Sequence, residues 1–518
     1  MSNDKEYFSK NKPWIVGLII AVVIIGLLLG ANFSLFGLNG DNSNNIAETT
    51  NLETTVANLA QERLESNLQA AAQERIASNL QAANLNPYEI SNFNDNNPNK
   101  NITINIETGT MQINNRTINR YFYTNDSGIQ HYAGQPIIAN ENDRLTITAT
   151  NNTTVDTSLH WHGLLVDNSI DIAGISAGET RVMDMPLQQT GTYWYHAHTR
   201  PVRDQVDYGM YAPFVIRTAY DNEYSKDYIL VLDDWYVDGA GNLLSQPWSG
   251  TGGMGGMMGS MERMGNVMTV NGQTATNVSP IEISTGEIVK ARFINASTVL
   301  LQVLDFPFPV TVTHTDGMPL QYPRLATSIL IAPGERYDVE IQALEGMPTT
   351  TYITNSASPQ ANIPIIYTPV ENAAIVESPF VPAEPLNLPL AGDYEIDAEM
   401  ILTSHMRQWM INGRVYPDTE PLRFSLNQPY VIRIYNNDFG MGMMGGSHHP
   451  VHFHANHFAV LSMNGYAPDQ QILKDTVNVP VGEFVDILVN FTEPGTWMVH
   501  CHILDHEDGG MMTHIIVE

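Results

Sequence analysis

The chain has 518 residues, length enough for about three domains, and 43% of them are apolar, ample for large buried cores. With 24 basic against 55 acidic residues the net charge is −31, so the surface repels phosphate backbones and attracts cations, and nucleic acid is excluded as a partner. The single cysteine, Cys501, rules out an intramolecular disulfide framework.

Trp14 to Ala31 is uncharged and almost wholly apolar, near the span of a bilayer core. Lys5, Lys10 and Lys12 precede it and the next charge is Asp41, which predicts a transmembrane helix with a cytoplasmic N-terminus and an exported remainder. The run exceeds a typical signal core and no Ala-x-Ala site follows it. Residues 1–38 therefore read as an uncleaved membrane anchor, and the expected location is extracytoplasmic, periplasmic or at the cell surface. Secretion after signal cleavage is the alternative. Residues 39–100 read as a helical stalk and an Asn-rich linker. AQERLESNLQA at Ala60 to Ala70 is nearly repeated as AQERIASNLQA at Ala72 to Ala82, with Leu64, Leu68, Ile76 and Leu80 at helical intervals and Pro87 ending the run.

From Ile102 onward, short β-branched and aromatic runs such as RLTITATNN and VDILVNF alternate with Gly, Pro, Asn and Asp, which predicts an all-β fold. A Tyr/Asp break at 220–227 and a Pro-rich passage divide this part into units over 101–220, 221–370 and 395–518, each of β-sandwich size, with a linker at 371–394.

Among 16 histidines the chain holds four His-x-His pairs: His160/His162, His196/His198, His452/His454 and His500/His502. Strand residues two apart share a face, so each pair presents two imidazoles to one cavity. Imidazole suits copper, zinc, iron or nickel, and Cys501 selects among them. It lies between His500 and His502, so on a strand its sulfur faces away from them and one backbone segment touches two metal sites. His506 and Met511 follow at C-x4-H-x4-M spacing, and a thiolate, two imidazoles and a weak thioether make the blue-copper set. His449, before Pro450, is the natural second imidazole.

The sequence here resembles the multicopper oxidases, the family of laccases and bacterial copper-efflux oxidases. The motifs are H-W-H-G at His160 to Gly163, Y-H-A-H at Tyr195 to His198, H-P-V-H-F-H at His449 to His454 and H-C-H-I-L-D-H-E-D-G-G-M at His500 to Met511. The resemblance covers Ile102 to Glu518 and implies three cupredoxin-like Greek-key β-sandwiches holding four copper ions. It implies a type 1 copper on His449, Cys501 and His506 with Met511 axial, ahead of His448 and Met512. It implies a type 2 copper on His160 and His452. For the type 3 pair it implies His162, His196 and His502 on one ion and His198, His454 and His500 on the other. O2 would be reduced to water with electrons from a small reducing substrate. Asp171 and Glu507 match acids that relay protons in related enzymes; the alternative for each is a hydrogen bond that orients a histidine. P-G-E-R-Y-D-V at Pro333 to Val339 reads as a fold marker.

Methionine is the other outlier, at 23 residues. Met254, Met257 and Met258 belong to a Gly/Met-rich stretch over 252–268 that reads as preceding the second unit's clear strands, and Met441, Met443 and Met444 lie just before His449. Thioethers prefer Cu(I), so both clusters are candidates for capturing Cu(I) as substrate. Phenolic reductants are the runner-up. A copper nitrite reductase needs no type 3 pair, and a sequestering protein would have lost cluster ligands, so both rank lower.

Overall fold

The computed structural model describes residues 88–518, apart from 114–115, 238–264, 275–276, 358–360, 406–407 and 440–445. The expected anchor, the repeat-bearing stalk and the six candidate methionines Met254, Met257, Met258, Met441, Met443 and Met444 lie outside the described residues. Among the described residues no helix is long and apolar enough to cross a membrane.

The described chain is all-β, as the alternating runs require, and one strand arrangement occurs three times. In the first, Arg116–Thr124, Asn99–Ile113, Arg144–Asn151 and Thr180–Pro186 lie in that order. Val267–Val270, Lys226–Trp235, Ile288–Asn295 and Arg336–Gln342 repeat it, and so do Gln408–Ile411, Ala398–His405, Pro429–Asn436 and Phe484–Asn490. Each time the two central strands run parallel and the outer pairings are antiparallel.

Each repeat closes with the same device. The third strand ends in a fully buried Asn whose amide must satisfy the backbone as the chain leaves the sheet. Asn151 donates to Val155 O and Ile175 O at 2.8 and 3.0 Å, Asn295 to Leu300 O and Ile331 O at 2.9 and 2.7 Å, and Asn436 to Ser447 O and Val479 O at 2.8 and 2.9 Å. The side-chain oxygen of each accepts the backbone N–H two residues on. Turn chemistry repeats as well: Asn271, Asn412 and Asn464 take positive φ before a glycine and close short hairpins.

Two features differ from the sequence reading. The chain joins the fold within the expected linker, because Tyr88 and Ile90 are apolar enough to bury beside the strand Lys226–Trp235, where Glu89 bridges Tyr228. The Gly/Met-rich stretch does not precede the second unit's strands. It connects Lys226–Trp235 to Val267–Val270, whose ends pair as Trp235↔Val267.

Two further five-stranded sheets carry the histidine motifs. One includes Thr157–His162 and Gly191–His196; the other includes His449–Phe453 and Gly495–Cys501. Helices Val202–Val206 and Leu504–Asp508 join the first and third units, since the Asp508 carboxylate accepts from Val202 N and Arg203 N at 2.9 and 3.0 Å. Replacing Asn295 by Ala strands two buried carbonyls and one N–H, and unsatisfied buried groups cost about 1–3 kcal/mol each. Denaturant unfolding of Asn295→Ala is expected to show a loss of at least about 2 kcal/mol.

Candidate metal centre

Register brings the motifs together before any side chain is considered. His160 lies opposite His196 on one sheet, and His452 opposite His500 on the other. The strand alternation expected for each pair holds for His160/His162. His198, His454 and His502 sit just past strand ends, yet all eight imidazoles are buried and converge. Ligand-capable nitrogens cluster as His160/His162/His452, His162/His196/His502 and His198/His454/His500. Trp194 packs on this group, 4.3 Å from His196 between ring centroids. Trp161 points the other way, onto Tyr195 and Phe214, because it alternates with His160 and His162.

The outward nitrogens fix the tautomers. His160 Nδ1 donates to Asp171 at 2.7 Å and His454 Nδ1 to the other oxygen of Asp171 at 2.8 Å. His452 Nδ1 donates to Asp475 O at 3.1 Å, and His196 Nδ1 to Ala197 O at 3.0 Å. His162 uses its other nitrogen, Nε2, to reach Asp475 Oδ1 at 3.2 Å. A neutral imidazole has one N–H and one lone pair, so each of these rings turns a bare lone pair inward. Burial keeps them neutral, holding His452 at about 4 and His196 at about 3, with the neighbouring imidazoles adding to the effect. His500 is the exception: against its burial, Glu507 beside Nδ1 raises it.

The result is a contradiction that a cation resolves. The inward Nε2 atoms of His160 and His452 are 3.2 Å apart, two lone pairs with no proton between them. His162 Nδ1, His196 Nε2 and both nitrogens of His502 are buried without hydrogen-bond partners. Two of the carboxylates gripping the rings from behind, Asp171 and Asp475, stay well below the usual carboxylate range despite burial, Asp171 through His160 and His454, Asp475 through Arg336 and His162. Glu507 lies 3.4 and 3.2 Å from His198 and His500, which hold it at about 2 against its burial. Neutral nitrogens backed by three anions are a metal-binding donor set.

A separate group lies on the far side of the strand Gly495–Cys501. Cys501 Sγ is 3.5 Å from both His449 Nδ1 and His506 Nδ1, and these nitrogens are 3.1 Å apart. The point equidistant from the three atoms is about 2 Å from each, close to metal–nitrogen and metal–sulfur bond lengths. His449, rather than His448, belongs to this group. Met511 is buried, its carbonyl accepting from Cys501 N and its N–H donating to His506 O at 3.0 and 2.9 Å. Met512 lies on the following strand, opposite His500.

The sequence reading missed Asp475 and Arg336. Arg336, inside the P-G-E-R-Y-D-V segment, is fully buried and pairs with Asp475 through two hydrogen bonds of 2.8 and 2.6 Å. Asp475 also lies 3.4 Å from His452 Nδ1. Arg336 donates to Thr192 O as well, so the second unit, which lends no histidine to these groups, clamps the first to the third. Gly163, the last residue of H-W-H-G, has φ +86°, and any Cβ there would meet Arg336 and Asp475. A lone aspartate among β-strands carries no periodic signal, which is why Asp475 was not legible.

Residues 99–221, 226–379 and 393–518 each match the sequence model described as Multicopper oxidase. The chain belongs to the multicopper oxidase family and is a copper-binding oxidoreductase. It is 27% identical over 423 residues to the multicopper oxidase MmcO of Mycobacterium tuberculosis, covering 74% of this chain and 81% of that one. It is 27% identical over 444 residues to a multicopper oxidase of Staphylococcus haemolyticus, covering 82% and 90%. In fold it is similar to a laccase from Pediococcus acidilactici (TM-score 0.68, 23% identity, 82% of this chain and 91% of that one). It is also similar to a metallo-oxidase from Campylobacter jejuni (TM-score 0.65, 23% identity, 82% and 93%).

Loss of a group that orients a metal-bound histidine typically lowers metal affinity about 10–100-fold. Asp475→Asn is expected to weaken copper binding by that factor at the His160/His452 end, while copper held by the Cys501 group stays bound. Metal titration followed by electron paramagnetic resonance reads the two separately.

Proposed function

We propose that the protein couples one-electron oxidation of Cu(I) to four-electron reduction of O2 to water. The observation that carries the oxidase reading is the pair of opposed lone pairs on His160 and His452, embedded in eight converging imidazoles one strand away from a Cys/His/His triangle. In this reading His449, Cys501, His506 and Met511 hold the type 1 copper, and His160 and His452 the type 2 copper. His162, His196 and His502 hold one type 3 ion, and His198, His454 and His500 the other. Bound copper supplies one-electron storage at four places, so that single electrons taken from a reductant are delivered together with four protons to one O2, giving two waters.

The chain's own residues do the rest. Cys501 is bonded through the backbone to His500 and His502, a covalent path between the two centres. Asp171, with an oxygen on each of two imidazoles, orients His160 and His454. We assign proton delivery to Glu507, whose oxygens lie against His198 and His500. The methionine clusters and the net charge of −31 support a soft cation as substrate. We further propose that the apolar segment at Trp14 to Ala31 anchors the enzyme outside the cytoplasm.

The test is oxygen uptake by copper-loaded protein offered Cu(I), a phenol, Fe(II) and Mn(II) in turn. Four coppers per chain, an intense blue colour and fastest turnover of Cu(I) are expected. No uptake with any donor removes the oxidase reading, and phenol turnover exceeding Cu(I) turnover removes the substrate. Deleting residues 252–264, which leaves the paired strand Val267–Val270 in place, is expected to slow Cu(I) oxidation at least about tenfold, the effect of losing roughly 1.4 kcal/mol of differential binding, and to spare phenol oxidation. Cys501→Ser is expected to abolish both the blue colour and turnover.

A further inference from the structure

No atom group of the Cys501 triangle meets water: Cys501, His449 and His506 are all buried. What lies over His506 is the indole of Trp409. The two rings are stacked, with centroids 4.7 Å apart and planes 21° apart. Trp409 is only half-buried, so it touches the imidazole and also reaches toward solvent. It comes from the hairpin of Ala398–His405 and Gln408–Ile411, where it pairs with Ser404, and its backbone N–H donates to Gly509 O at 3.4 Å. Gly509 is one of the paired glycines after His506, and a Cβ there would overlap the indole's six-membered ring. The stack therefore needs glycine at that position.

We propose that Trp409 is the lid of the electron-entry site, a specificity-determining residue that lets electrons cross the stacked rings while keeping substrate atoms off His506. The idea rests on the assignment of Cys501, His449 and His506 to the type 1 copper, and it deepens the substrate assignment. A phenol with pKa about 10 is neutral at pH 7, so oxidising it to the phenoxyl radical releases a proton with the electron. That proton passes to water at the hydroxyl, because His506, with its Nδ1 lone pair turned into the Cys501 triangle, has only an N–H to offer outward, and the indole holds the phenol away from that N–H. A Cu(I) ion becomes Cu(II) by losing one electron and no proton, so contact with the indole suffices. The lid favours metal-ion and other outer-sphere donors over phenols.

The experiment compares wild type, Trp409→Ala and Trp409→Phe. In copper-free protein, diethyl pyrocarbonate labelling read by peptide mass spectrometry is expected to modify exposed His405 and spare His506. Trp409→Ala is expected to expose His506 to labelling at a rate approaching that of His405, and Trp409→Phe, which keeps a stackable ring, to preserve protection. In the copper-loaded protein, Trp409→Ala is expected to raise kcat/KM for 2,6-dimethoxyphenol roughly 10–100-fold, the range a reshaped pocket commands, with the blue band and type 1 potential unchanged. Continued protection of His506 together with unchanged phenol turnover overturns the lid, as does a shifted potential without new labelling, which marks a tuning residue instead. A wild-type protein that binds copper without turning blue removes the type 1 assignment, and the copper-free labelling still decides whether Trp409 covers His506.

Discussion

Everything in the centre depends on lone pairs that point at one another. Two buried aspartates, Asp171 and Asp475, each take the outer N–H groups of two imidazoles, one from the first unit and one from the third: Asp171 with its two carboxylate oxygens, Asp475 with its carboxylate for His162 and its backbone carbonyl for His452. Once those protons are committed outward, the inner nitrogens can only accept. Burial denies the rings a second proton, so the apposed nitrogens stay mutually repulsive until a cation sits among them. The protein thus holds its donors open by hydrogen bonds placed behind them, and metal affinity is built as much from these acids as from the histidines.

The same logic assigns a role to the middle unit, which contributes no imidazole. Arg336 supplies the positive charge that lets Asp475 stay ionised in a fully buried place, and it anchors to Thr192 of the first unit at the same time. Breaking such a buried pair by removing one partner costs about 3–5 kcal/mol, because a lone charge is left behind. The interface between units and the geometry of the donors are therefore one network rather than two.

Much of this was legible in the chain. The His-x-His spacing implied shared cavities, and C-x4-H-x4-M implied the second group, because strand period and short loops leave those side chains few other places to go. The β-rich units were legible from alternation and Asn-Gly turns. What stayed hidden was everything set by contacts distant in sequence. Asp475 meets His162 across 313 residues, and nothing local distinguishes it from any other strand-end aspartate. Trp409 had no motif to mark it, since its importance lies in the ring beneath it. Arg336 was visible but read as a fold marker, which it also is. His198, His454 and His502 escaped the simple two-residue alternation by lying past strand ends, where loop geometry does the aiming.

The position of the Gly/Met-rich stretch has a further consequence. Its flanks are pinned by the Trp235↔Val267 pairing. With both ends already held, lengthening the intervening segment adds closure entropy only logarithmically, about 0.6 kcal/mol per doubling. That insert can therefore be rewritten, in size or in chemistry, at little cost to the two strands that hold its ends, so a family built on this frame is free to vary there first.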